Sequence, residues 1–86
     1  MNDKAHGKGI LYYFNRDIYK GEFKQNYLDG SGVFYYYNGD RYEGEFKKDK
    51  REGKGIYYYQ QTGARWIGKF KNNLPYGNLW KRLISN

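Results

Sequence analysis

The chain has 86 residues, no cysteine and a formal charge of +7, and 22% of its residues are aromatic. A chain this short forms one small domain at most and buries only about 60% of its unfolded surface, while the lack of cysteine excludes disulfide scaffolds and thiolate metal sites and favours a reducing intracellular compartment. No apolar run nears the ~20 residues of a membrane span, and Met1-Asn2-Asp3-Lys4 lacks the apolar stretch of a secretion signal, so a soluble or membrane-peripheral protein is expected, its core built from rings rather than aliphatic chains.

In chain order, the first recognisable element is Gly7-Lys8-Gly9, which opens a half unit over residues 7–18. Tyr19-Lys20-Gly21-Glu22-Phe23-Lys24 follows, then Gly30-Ser31-Gly32, then Tyr42-Glu43-Gly44-Glu45-Phe46-Lys47 and Gly53-Lys54-Gly55. Both motifs recur every 23 residues, which defines full units over 19–41 and 42–65 within a single domain spanning 1–86. Trp66-Ile67-Gly68-Lys69-Phe70-Lys71 comes 24 residues after its predecessor, and the extra residue falls in Gln60-Gln61-Thr62-Gly63, a turn, where insertions are tolerated. The unit over 66–86 is degenerate: Gly77 is on schedule, but Leu79 replaces the second glycine.

Each unit reads as a β-hairpin. Ser31 to Tyr37 and Arg41 to Lys47 are rich in aromatic and β-branched residues and flank Asn38-Gly39-Asp40, a strong hairpin signal. Strand alternation puts Tyr42, Gly44 and Phe46 on one face with Gly32, Phe34 and Tyr36. A three-residue loop at 38–40 predicts the pairs Tyr36–Tyr42, Phe34–Gly44 and Gly32–Phe46, so that each ring lies over a glycine. Glycine weakens a strand unless something must approach closely, and Gly21, Gly30, Gly32, Gly44, Gly53, Gly55, Gly68 and Gly77 are therefore taken as structural. The expected fold is all-β: an elongated, single-layer antiparallel meander of six or seven strands. For residues 79–84 a short helix and a final cap strand are both open, and the outer strand edges invite edge-to-edge self-association.

The pattern Tyr-x-Gly-x-Phe followed at fixed distance by Gly-x-Gly resembles the MORN (membrane occupation and recognition nexus) repeat over about residues 7 to 80. Departures are Arg16 where the next turn has Gly39, Trp66 for Tyr, the insertion near Gln61 and Leu79 for Gly. The resemblance implies an antiparallel β-ribbon, and roles like those of junctophilins, plant phosphatidylinositol phosphate kinases, radial-spoke head proteins and apicomplexan cytoskeletal proteins. In these the repeats organise membrane contacts or assemblies and perform no chemistry.

Two surfaces are candidates for binding. An aromatic face containing Tyr36, Tyr42, Phe46, Tyr59, Trp66, Phe70 and Trp80 would suit a protein partner, since a single layer cannot cover both its faces; the bland reading is internal packing of the ribbon. Lys47, Lys48, Lys50, Arg51 and Lys54, read as a loop between units, would suit an anionic phospholipid surface, although Asp49 and Glu52 dilute that charge. Residues 53–86 carry six Lys/Arg and no acid, against ten Lys/Arg and nine Asp/Glu before them, so the C-terminal part is the electropositive end. Base stacking on the rings is disfavoured, because the ring spacing follows from the glycines. His6 is the one histidine and reads as a solvated residue without metal partners. Ser31 lacks a nearby base, and Gly7-Lys8-Gly9 lacks the strand and helix of a phosphate loop. The expectation is therefore a non-catalytic scaffold or adaptor, without cofactor, in a cytoplasmic or cytoskeletal setting that includes cilia and membrane peripheries; the alternative is a peripheral module for anionic lipid.

Overall fold

Segments in which rings and polar residues alternate form seven strands in a computed structural model that describes residues 6–84, with side chains described through Pro75. They are β1 (Gly7–Tyr12), β2 (Ile18–Lys24), β3 (Tyr27–Tyr35), β4 (Arg41–Lys47), β5 (Lys50–Tyr58), β6 (Ala64–Lys71) and β7 (Leu74–Ile84). All pair antiparallel in the order β1-β2-β3-β4-β5-β6-β7, an open meander measuring 50 × 27 × 16 Å. Residues 79–84, open between helix and strand from sequence, extend β7 and pair with β6 from Ile67↔Lys81 to Ala64↔Ile84.

Two kinds of turn alternate along the ribbon. Within a unit, Gly39 N donates to Tyr36 O and Tyr36 N to Asp40 O, which closes a three-residue loop over Tyr37-Asn38-Gly39. Gly39 has φ +97° there, the left-handed position of a turn that ends in a glycine bulge. The loop thus sits one residue earlier than Asn38-Gly39-Asp40, because Asp40 is bound back into the hairpin and its N–H also donates to Asn38 Oδ1. The register moves with it. Phe34 faces Tyr42, Gly32 faces Gly44 and Gly30 faces Phe46, in place of the expected Tyr36–Tyr42, Phe34–Gly44 and Gly32–Phe46. The shift is an even number of residues, so the assignment of side chains to faces is unchanged.

Between units the turns have two residues. Gln25-Asn26, Lys48-Asp49 and Asn72-Asn73 all have positive φ, the signature of the type I′ turn, whose twist matches that of the flanking strands. Residues 47–54 are therefore not a loop: only Lys48 and Asp49 lie outside strands, and Lys50, Arg51 and Lys54 belong to β5. These turns also tie each unit to the one before it. Asp49 N donates to Leu28 O and Leu28 N to Asp49 Oδ1, and Asn73 makes the same pair of bonds with the Arg51 backbone.

The β5–β6 turn absorbs the inserted residue, with Tyr59 N bound to Ala64 O and Gly63 N to Tyr59 O. Arg16, the counterpart of Gly39, is held at φ +82°, a conformation that costs a side-chain-bearing residue about 1 kcal/mol. Arg16→Gly should therefore raise stability by about 1 kcal/mol, read as a higher Tm. An unchanged or lower Tm would show that Arg16 makes a compensating contact.

Candidate functional site

The paired glycines create the space that the rings fill. Gly21 faces Gly32 across β2–β3, and Gly44 faces Gly55 across β4–β5. Tyr19 lies over the first pair and Tyr42 over the second: a Cβ added at Gly32 would meet the Tyr19 ring, and one at Gly55 the Tyr42 ring. Each ring thus covers a glycine of its own strand and a glycine diagonal to it on the next, not the residue directly opposite. The hydroxyls are used too, Tyr19 donating to Glu22 O at 2.8 Å and Tyr42 to Glu45 O at 3.0 Å. Beyond each pair the partner strand bulges. There Gly30 and Gly53 take φ +100° and +90°, and Glu22 and Glu45 accept from the freed N–H groups of Ser31 and Lys54. This explains why Glu follows the glycine in both motifs.

The same face carries two rows of rings. In the inner row Phe23, Tyr19, Phe46, Tyr42 and Phe70 pack edge-to-face at 5.0–5.2 Å, the geometry favoured by the ring quadrupole. Tyr19 and Tyr42 are wholly buried, and Phe46, Phe70 and Leu28 nearly so. The outer row, Tyr13, Phe34, Tyr36, Tyr57 and Tyr59, is tilted and spaced at 4.6–5.5 Å; its members are half-buried, and Tyr59 is exposed. Tyr57 Oη donates to Asp40 Oδ2 at 2.9 Å.

At the C-terminal end of this face lies a cavity of about 610 Å³, lined by Arg51, Tyr57, Tyr59, Trp66, Phe70, Asn73, Leu74 and Pro75. Arg51 points into the rings. Its guanidinium carbon is 5.4–6.0 Å from the centroids of Tyr36, Tyr42, Tyr57 and Phe70, and it donates to Tyr36 Oη and to Asn73 O.

The seven residues expected to form an aromatic contact surface divide accordingly. Tyr42, Phe46 and Phe70 belong to the buried inner row, and of these three Phe70 alone also lines the cavity; the rings that pack the ribbon and the rings that face outward differ, a distinction strand parity alone does not reveal. Tyr36 and Trp66 are half-buried and Tyr59 exposed, all at the outer row or the cavity rim. The Trp80 side chain lies outside the described residues. Arg51, Tyr57, Asn73, Leu74 and Pro75 are the cavity residues outside the aromatic set. The equivalence of position 51 with Leu28, 23 residues earlier, was the signal that could have placed Arg51 among the rings.

The basic set divides as well. Lys47, Lys50 and Lys54 point to the opposite face by alternation and are exposed, Lys48 is exposed at the turn, and Arg51 is turned away from them into the rings. Among the structural glycines, Gly68 faces Gly55 and Gly77 lies in β7. Among the described residues no group of three or more His, Cys, Asp or Glu converges on a metal-sized site.

Burial pushes the Tyr19 hydroxyl up to about 12 and raises those of Tyr42 and Tyr57 still further. A tyrosine in the unfolded chain loses its proton near 10.0, whereas these keep theirs in the native state, which then binds more protons. Stability is therefore fully present below pH 10 and falls as pH rises from there towards the folded values. Urea midpoints should be flat up to that point and drop above it, with a shallower drop in Tyr19→Phe. A flat profile into strong alkali would contradict the burial of these hydroxyls.

An open, single-layer ribbon of hairpins locked by glycine pairs and rings is the architecture of a β-repeat protein, in which each unit contacts only its neighbours. The MORN repeat family model matches residues 1–18, 19–41 and 42–61, most of the chain. The chain belongs to the MORN repeat family. Its repeats are in general non-catalytic and typical of interaction or membrane-associated proteins. No match is found among curated proteins.

Proposed function

We propose that this chain is a non-catalytic scaffold or adaptor that holds a partner protein against its outer ring row, inside a larger intracellular assembly of the cytoskeletal or ciliary kind. The observation that carries the reading is the half-exposed row Tyr36–Tyr57–Tyr59 opening into the cavity beside Trp66. Aromatic side chains that keep accessible area beside a concavity are the usual anchors of protein contacts. The test is photo-cross-linking in native extract, with a photoreactive residue at Tyr59 and, as the control, at Lys20 on the opposite face. Discrete adducts from Tyr59 alone support the reading; equal adducts from both faces, or adducts from Lys20 alone, overturn it.

A second reading, contact with an anionic lipid surface, has one observation in its favour. Lys24, Lys47 and Lys71 hold equivalent places at the three two-residue turns, and with Lys48 and Lys50 they line one long edge of the ribbon, all exposed. Each basic residue near such a surface contributes about 1 kcal/mol. Co-sedimentation with acidic vesicles that weakens as salt rises would favour it; no retention at low salt would remove it.

A further inference from the structure

The residue facing the inner-row phenylalanine is Leu28 opposite Phe23, Arg51 opposite Phe46 and Pro75 opposite Phe70. Two of these three equivalent positions are apolar, and Leu28 is 3% exposed, so the ribbon closes without a cation there. Arg51 nonetheless carries its charge into the rings. Its Nε is buried without a hydrogen-bond partner, and among the described residues no carboxylate forms an ion pair with it. Removing a guanidinium from water is costly unless something compensates, and the four surrounding rings and two neutral acceptors compensate only in part.

We infer that Arg51 is the specificity residue of the cavity, placed to receive a carboxylate from an acidic, partly apolar segment of the partner protein. The walls define this chemistry. Among the described residues, Tyr57, Trp66, Phe70 and Pro75 supply apolar and aromatic surface around one cation, and the planar fork of an arginine matches a carboxylate in two parallel hydrogen bonds. A polyphosphorylated headgroup needs several converging cations, but Lys47, Lys50 and Lys54 lie on the other face of the sheet. A net charge of +7 favours encounter with an acidic partner. The inference rests on the outer ring face being the docking surface.

The test uses the full chain and two short acetylated peptides without tryptophan, one with glutamates interspersed among leucine and phenylalanine, the other with glutamine at each glutamate. Tryptophan fluorescence and calorimetry report binding. The glutamate peptide should bind, weaken with salt and lose about tenfold or more in affinity with Arg51→Leu, while Arg51→Lys loses less and the Tm of Arg51→Leu stays at or above that of the parent. Equal binding of both peptides, with weakening by Trp66→Ala, overturns the carboxylate assignment but leaves the docking face standing. Glutamate-peptide binding unaffected by both Arg51→Leu and Trp66→Ala overturns the two together. Failure of the glutamate peptide to bind, or binding that requires phosphoinositide vesicles and depends on Arg51, overturns the inference.

Discussion

Gly44→Val is expected to abolish cooperative folding, at a loss of about 4 kcal/mol or more. A Cβ at Gly44 would lie 2.5 Å from Gly55 Cα, 2.6 Å from Lys54 O and 2.7 Å from Tyr42 Oη. Two of these atoms are backbone of a strand paired on both sides, so relief requires moving β4 and β5 apart, which breaks their ladder. A domain of this length has a total stability of roughly 4–13 kcal/mol, so the substitution removes most or all of it. Gly44→Ala adds the very Cβ that meets these atoms and should cost nearly as much. Gly9 supplies the internal control. Among the described residues a Cβ there would meet only the Phe23 ring, at 3.4 Å, an ordinary contact, and Gly9→Ala should change stability by no more than about 0.5 kcal/mol. Urea denaturation of the three variants measures this directly, and equal losses at Gly9 and Gly44 would show that the close approach of β4 to β5 is not what makes the glycine necessary.

The second large effect is at Tyr42. Truncation to alanine removes a wholly buried ring that two phenylalanines, Phe46 and Phe70, meet edge-on at 5.1 and 5.0 Å, and opens a hollow above Gly44 and Gly55 that neither glycine can fill. The expected cost is about 3–5 kcal/mol. Tyr42→Phe keeps the ring and loses only the bond to Glu45 O, at about 1 kcal/mol. Tyr59→Ala, in the outer row and exposed, should cost less than either. This ordering, alanine at position 42 far worse than phenylalanine at 42 or alanine at 59, separates packing from hydrogen bonding, and a Tyr42→Phe variant as damaged as Tyr42→Ala would assign the stability to the hydroxyl instead.

Much of the fold was legible because the repeat encodes it twice. The 23-residue stride of Gly-x-Gly against Tyr-x-Gly-x-Phe specifies hairpins, and the side-chain alternation around Gly44 gives the correct faces. The register was not legible, because it depends on whether Asp40 belongs to the loop or to the strand, and Asn38-Gly39-Asp40 satisfies both readings until the backbone bond from Tyr36 to Asp40 is seen. The two-residue turns were missed for a different reason. Lys48-Asp49 and Gln25-Asn26 lack the glycine that usually marks a type I′ turn, so the basic run at 47–54 read as a loop although it is a hairpin apex followed by a strand. At the site, composition shows that rings dominate but not which are spent on packing. Two rows with the same parity differ only in how far they stand from the glycine pairs, a three-dimensional property. Arg51 was hidden by its basic neighbours, and only its alignment with Leu28 and Pro75 separates it from them.

The contact between ring and glycine can be observed without mutation. In solution NMR spectra, the ring protons of Tyr42 should show nuclear Overhauser effects to the Gly55 α-protons, and those of Tyr19 to Gly32, with both glycines shifted upfield by the rings above them. Cross-peaks from Phe34 to Gly44 in their place, or glycine α-protons at random-coil positions, would mean that the rings do not occupy the spaces the glycines leave.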